Sequence, residues 1–142
     1  LGEACKLARK NLNINFQKIK KFKDKIWREL SKLDGVYLNG DIENRIYNNL
    51  NISFDFVEGE ALIASLYDLA LSSGSACNSS TQEASYVLKA IGVNSNLAQA
   101  SIRISLGLYI TEAEVDYAIK FIKTQVEKLR EISPLTSSLA IS

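Results

Sequence analysis

Two side chains carry most of the chemistry this sequence can offer. Cys77 lies in Leu71-Ser-Ser-Gly-Ser-Ala-Cys77-Asn-Ser-Ser-Thr-Gln82, twelve residues without a charge and with little apolar bulk. Gly and Ser favour open backbone there. A thiol reacts as the thiolate and needs access, so an exposed loop suits a nucleophilic cysteine. On spacing alone, an incidental cysteine in a polar surface loop is the plainer reading. Arg103 lies in Ser101-Ile-Arg-Ile-Ser-Leu-Gly107. That stretch alternates, sending Ile102, Ile104 and Leu106 to a core and Arg103, flanked by Ser101 and Ser105, to the opposite face. From pattern alone Arg103 is a surface ion-pair residue.

The chain has no histidine. Ser-His and Cys-His catalysis are therefore excluded within it, together with the commonest metal ligand. Its two cysteines, Cys5 and Cys77, form no CxxC pair, so a disulfide framework or zinc site is not expected and a reducing compartment fits. At 142 residues, 46% hydrophobic and 23% charged, the composition is that of one ordinary globular domain. No run is long and apolar enough to span a bilayer, and no stretch has the form of a secretion signal. Net charge is +1, but residues 1–33 carry +7 and the remainder −6.

The elements that must position these groups follow from periodicity. Residues 3–33 read as one helix, with Ala8, Leu12, Phe16, Ile19, Phe22, Ile26, Leu30 and Leu33 in steps of three and four. It starts with almost no N-cap, as if cut from something longer. Its lysines are either a solvated face or a nucleic-acid patch, and the lack of aromatics among them favours the former. Cys5 is expected to pack as a small thiol or to sit in a frayed end. Asp34-Gly35 is expected to end the helix. Val36–Leu38 reads as a strand stopped by Asn39-Gly40, and residues 41–49 as loop. Leu50–Phe56 alternates, with Leu50, Ile52, Phe54 and Phe56 facing one way. Glu60–Ala70 reads as helix. Ser80-x-x-Glu83 resembles a capping box opening a helix over 82–91, and Thr111-x-x-Glu114 a second one opening the last helix, which Ser133-Pro134 closes. Half-buried alternating strands among helices predict an α+β layer: a small, mostly antiparallel sheet with helices packed on it.

The run Ser72-Ser-Gly-Ser-Ala-Cys77, then Glu83-x-Ser85-Tyr-Val-Leu88, Gly92 and Ser101-Ile-Arg103-x-Ser105-Leu-Gly107, resembles the cysteine desulfurases of the NifS/IscS type. The likeness continues through Thr111-Glu112-x-Glu114-x-Asp116-Tyr117 to Leu129-Arg130-x-x-Ser133-Pro134-Leu135. Val36-Tyr-Leu-Asn-Gly40 and Val57-Glu-Gly-Glu60 fit it as well. The loop is similar to the long-loop class. The resemblance implies that residues 1–135 are the C-terminal small domain of an enzyme of aspartate-aminotransferase fold. Residues 1–33 would be its connecting helix, 71–82 its catalytic loop and 136–142 a frayed tail.

The same resemblance implies pyridoxal phosphate in the complete enzyme, held by a large domain that this chain lacks. No cofactor is expected on this chain alone, and no activity without that domain. It implies that Cys77 is the nucleophile that takes sulfur from L-cysteine as a persulfide, leaving L-alanine, and that Arg103 holds the substrate carboxylate. Ser73, Gly74 and Ser75 would give the loop its reach. The sulfur would serve iron–sulfur cluster assembly or tRNA thiolation, through a scaffold protein or other acceptor. No intrinsic metal site is expected, although Cys77 could ligate an iron–sulfur cluster shared with a scaffold. The complete enzyme would be a homodimer, cytoplasmic in a bacterium or in the mitochondrial matrix of a eukaryote, with no membrane and no direct nucleic-acid partner. Asn78, Ala84, Gln99 and Leu108 depart from the usual Thr, Pro, His and Arg. The alternative is a non-catalytic partner-binding module.

Overall fold

The computed structural model of the chain describes residues 1–73 and 85–133. The first helix, α1, runs Gly2–Leu30 without a side-chain cap at its start. Its apolar stripe is used unevenly. Ile19, Phe22, Ile26 and Leu30 are buried, whereas Leu7, Leu12 and Ile14 are 51%, 52% and 73% exposed. The helix stops at Leu30, three residues earlier than the pattern predicts, because Gly35 has another task. At φ +62° it turns the chain into the sheet, and its carbonyl accepts the Asp55 N–H at 2.7 Å.

Four strands form one sheet: β1 (Val36–Leu38), β2 (Asn49–Phe54), β3 (Ser72–Ser73) and β4 (Ser101–Ser105). Their order is β1-β2-β4-β3, and every neighbouring pair is antiparallel. Register follows the alternation of the sequence. Leu50 faces Ile104 and Ile52 faces Ile102, so β2 and β4 put their aliphatic residues on one face. β4 ends at Ser105 rather than residue 107, yet the Leu106 N–H still donates to the Asn48 carbonyl at 2.8 Å.

The predicted strand 50–56 ends two residues early. Phe56 leaves it at φ +64°, a left-handed conformation that is unusual for a bulky side chain. The local bonds explain the exit. Asp55 Oδ1 accepts the Phe56 N–H at 2.9 Å, and Arg130 Nε donates to the Asp55 carbonyl at 3.1 Å. Phe56 therefore does not join the core row of Leu50, Ile52 and Phe54.

Helix α2 (Gly59–Ser65) is capped by the Glu58 carboxylate, which accepts from the Glu60 and Ala61 N–H groups. It is shorter than the predicted 60–70; turns over Leu66–Leu71 carry the chain into β3. Helix α3 (Tyr86–Ala90) starts at Ser85, and the Ser80–Glu83 box expected to open it lies outside the described residues. Helix α4 (Ser95–Gln99) has no apolar period long enough to announce it; Asn94 caps it, accepting from the Asn96 N–H. Here Gly59 is required: a Cβ at that position would stand 2.4 Å from the Gln99 carbonyl oxygen.

The last helix, α5 (Glu112–Ile132), opens with the predicted capping box. Glu114 donates its N–H to Thr111 Oγ1, and its carboxylate accepts the Thr111 N–H at 2.7 Å. Val115, Ile119, Ile122 and Val126 bury one face of α5 on the sheet, beside α1. Across the α1–α5 seam, Lys25 pairs with Glu112 at 3.0 Å and Asp116 at 2.6 Å, and Glu29 pairs with Lys123 at 3.2 Å. The result is the predicted α+β architecture, in which α1, α2 and α5 share one core with a small antiparallel sheet. No helix among the described residues is long and apolar enough to cross a membrane.

Candidate functional site

The other face of the sheet is polar. It carries Tyr37 of β1, Asn49, Asn51 and Ser53 of β2, Ser101, Arg103 and Ser105 of β4, and Ser72 of β3. No acidic residue and no lysine stands in these register positions. Ser53 and Ser101 are fully buried, and Ser101 Oγ donates to the Ala98 carbonyl of α4 at 2.8 Å. The open part of the face is thus Tyr37 at the β1 edge and the Asn49, Asn51, Arg103, Ser105 and Ser72 group.

Arg103 is exposed and sits between two polar partners, Asn51 on one side and Ser72 on the other. The hydrogen-bond pattern fixes how close they come. The Phe54 N–H donates to the Ala100 carbonyl and the Leu106 N–H to the Asn48 carbonyl. Even-numbered positions of β2 therefore form the hydrogen-bonded pairs, and Asn51–Arg103 is a non-hydrogen-bonded pair. Such pairs have Cα atoms about 4.5 Å apart, and their side chains lie closer together than in the hydrogen-bonded pairs. Among the described residues no carboxylate is paired with Arg103; the ion pairs lie along α1 and between α1 and α5. Among the described residues, the surface ion pair that pattern alone predicted is absent.

Beside Arg103 runs a bonded strip that sequence reading missed. Asn39, buried, donates through Nδ2 to Asn51 Oδ1 at 2.6 Å and to Ser53 Oγ at 2.8 Å. Its own backbone is fixed twice: its N–H donates to the Asn51 carbonyl, and its carbonyl accepts Arg45 Nη2 at 2.6 Å. Arg45 is held by the Asp41 carbonyl, and the Asp41 carboxylate accepts the Asn44 and Glu43 N–H groups, which hold it below the usual carboxylate range. At the other end Asn49 Nδ2 donates to Ser105 Oγ at 3.2 Å. The signal was present in the alternation of Asn49, Asn51 and Ser53, but the pairing that turns it into a site is long-range.

On the apolar side of β4 lies a pocket of about 680 Å3, lined among others by Ile26, Leu71, Ile104, Leu106 and Ile110. Its wall includes Asp68 and Tyr117, whose hydroxyl donates to the Asp68 carboxylate; that bond holds the phenol above its ordinary range. β4 therefore separates an apolar pocket from the polar face that bears Arg103.

Of the loop residues, Ser73 ends β3, while Gly74, Ser75 and Cys77 lie outside the described residues, as do Asn78 and Ala84. Cys5, expected to pack or to fray, is exposed within α1. Gln99 presents its carbonyl to Gly59, and the Leu108 carbonyl accepts Lys18 Nζ at 3.1 Å. Among the described residues no group of three His, Cys, Asp or Glu could hold a metal ion. The polar face has no lysine to form an imine with a pyridoxal group, so these residues do not fit that cofactor. They fit an anionic group presented to Arg103.

Comparison with known proteins bears on this geometry. The chain is 49% identical over 135 residues to the cysteine desulfurase IscS of Aeromonas hydrophila, covering 95% of this chain and 33% of that protein. It is 50% identical over the same length to the IscS of Aeromonas salmonicida. It spans about a third of the length of these relatives. Among solved structures it is similar to a NifS-like protein, with TM-score 0.75 and 30% identity, covering 89% of this chain and 32% of that one. A NifS-like protein from Rickettsia africae gives TM-score 0.72 and 26% identity, covering 85% and 31%. The fold described above is thus that of a part of the NifS-like proteins. The aminotransferase class-V family matches residues 1–118, and the chain, with its Arg103 strand inside that span, belongs to this family.

Proposed function

We propose that the chain is the C-terminal small domain of a cysteine desulfurase. In this reading Arg103 holds the carboxylate of L-cysteine and Cys77 receives its sulfur. The observation that carries it is Arg103 itself, exposed beside β3 on a polar face whose described strand positions hold no acid. A carboxylate is what a guanidinium with no acidic partner among the described residues recognises best, through two parallel hydrogen bonds. β3 leads toward Cys77, which follows Ser73 by four residues. Four residues of extended chain span at most about 14 Å, so sequence distance permits the thiol to meet a molecule held at Arg103.

In the transfer, a bond forms between the Cys77 sulfur and the substrate sulfur as the substrate's carbon–sulfur bond breaks. The electron pair of that bond stays with the carbon side, protonation there gives L-alanine, which is released, and Cys77 keeps a persulfide. Pyridoxal phosphate, bound by the remainder of such an enzyme, supplies the electron sink that this cleavage needs. Residues 71–82 form the catalytic loop in this reading, with Ser73, Gly74 and Ser75 giving it reach. The persulfide then passes to an acceptor, for iron–sulfur assembly or tRNA thiolation, in the cytoplasm or the mitochondrial matrix. The complete enzyme is a homodimer.

The test assembles the chain with a cofactor-bearing large domain and follows alanine release against cysteine concentration. Cys77→Ser should abolish persulfide and alanine production, because oxygen is a far poorer nucleophile toward sulfur. Arg103→Ala should raise the cysteine concentration needed for half-saturation about tenfold to hundredfold. Turnover by Cys77→Ser, or unchanged saturation in Arg103→Ala, would return the chain to the reading of a partner-binding module.

A further inference from the structure

The strip beside Arg103 has one donor left over. Asn39 Nδ2 spends its two protons on Asn51 Oδ1 and Ser53 Oγ. The Asn51 amide is therefore oriented: its oxygen faces Asn39, and its Nδ2 faces away. No described residue accepts a hydrogen bond from that Nδ2. Asn51 is half-buried and shares the open polar face with Arg103, as its non-hydrogen-bonded partner across the β2–β4 ladder. A neutral N–H donor thus shares a face with a guanidinium, and no described strand position on that face holds an acid. Asn39 cannot easily let the amide turn, since it is buried and held by the β2 backbone and by Arg45.

We propose that Asn51 is a second donor to the carboxylate gripped by Arg103, and that Asn39 is the positioning residue that keeps the Asn51 amide turned outward. This rests on the reading of Arg103 as the carboxylate ligand. The two donors stand on one face of adjacent strands, so one anionic group at Arg103 can also accept from Asn51. Arg103 supplies charge; Asn51 adds direction and discriminates a carboxylate from a neutral group. A carboxamide carries no charge and a single acceptor oxygen, so it gains little from the Asn51 donor.

The experiment uses the chain assembled with a cofactor-bearing large domain, turning over cysteine, and measures inhibition by L-alanine and by L-alaninamide. Asn51→Thr keeps an acceptor for Asn39 and suits a strand, but removes the outward amide. It should weaken inhibition by L-alanine about fivefold to twentyfold, the scale of a hydrogen bond to a charged group, and raise KM for cysteine in parallel. Inhibition by L-alaninamide should change by less than about twofold. Asn39→Ser, which leaves Asn51 in place but frees its amide, should show a smaller loss confined to L-alanine. If Asn51→Thr leaves L-alanine inhibition intact while Arg103→Ala weakens it, Asn51 is no ligand and only the Arg103 reading stands. If Arg103→Ala also leaves it intact, the carboxylate reading falls first and this proposal with it. An equal weakening of both inhibitors in Asn51→Thr marks a merely structural role and overturns the proposal.

Discussion

Ile102 and Arg103 are adjacent in the chain and belong to different environments. Ile102 is fully buried against Ile52 on the helix-covered face, and Arg103 is exposed on the other face between Asn51 and Ser72. A period of two separates them, so one strand holds the core and the candidate site back to back. A slip of one residue in the β2–β4 register would bury the guanidinium and expose the isoleucines at once. The apolar face resists that slip, and in doing so it fixes the position of the polar one. Stability and chemistry are thus divided between faces rather than between segments.

The division can be tested by unequal damage. Ile102→Ala should cost about 2–5 kcal/mol, because the fully buried side chain leaves a cavity in the core that α5 also lines. Its urea midpoint should fall accordingly. Arg103→Ala should leave that midpoint within about 0.5 kcal/mol of the parent, as surface changes usually do, while impairing carboxylate recognition. A large loss of stability in Arg103→Ala would mean that the two faces are not separable. Thr111→Ala removes one half of the capping box of α5, which covers the apolar face only. It should cost about 1 kcal/mol, with no selective effect on carboxylate inhibitors.

The smallest effect is expected from acid. Lys32 and Lys123 hold Glu29 below the ordinary carboxylate range, and Lys25 does the same for Glu112. A carboxylate depressed in the folded state stabilises above its unfolded pKa and loses that contribution as pH falls through the folded one. The α1–α5 seam should therefore weaken below about pH 4.3. Urea midpoints between pH 7 and pH 3 should show the decline, and 1 M salt should reduce it, since these pairs are partly exposed.

What the sequence made legible follows the same logic. The rows of β2 and β4, the capping box at Thr111 and the buried stripe of α5 are written in local periods, and the structure reproduces them. The face of Arg103 was legible for the same reason. Contacts that join distant segments were not. Asn39 meets Asn51 and Ser53 across a turn, the φ of Phe56 answers to Asp55 and to Arg130 on α5, and Gly59 is demanded by the Gln99 carbonyl. None of these leaves a periodic trace. The resemblance to desulfurases pointed to Cys77 and Arg103 because it rests on words rather than on periods; it passed over Asn51 because an asparagine in an alternating strand looks like any solvent-facing residue.

The uneven use of α1 has a thermal consequence. Residues up to Ile14 are exposed, and the first ring contact of the helix with the rest of the chain is Phe16 against Tyr47, at 5.1 Å. The 2–14 stretch is about 20 Å of helix continuing from a packed end. A free helix of that length is marginal in water, so this one is maintained by propagation from residues 16–30. In these 142 residues taken alone, the 2–14 stretch should unwind on warming before the packed residues 16–30 do. Far-ultraviolet ellipticity should then decline early and gradually while the fluorescence of Trp27, in the packed half, stays flat. The gap between the two curves would measure, in degrees, how much of the helix borrows its order from its neighbour.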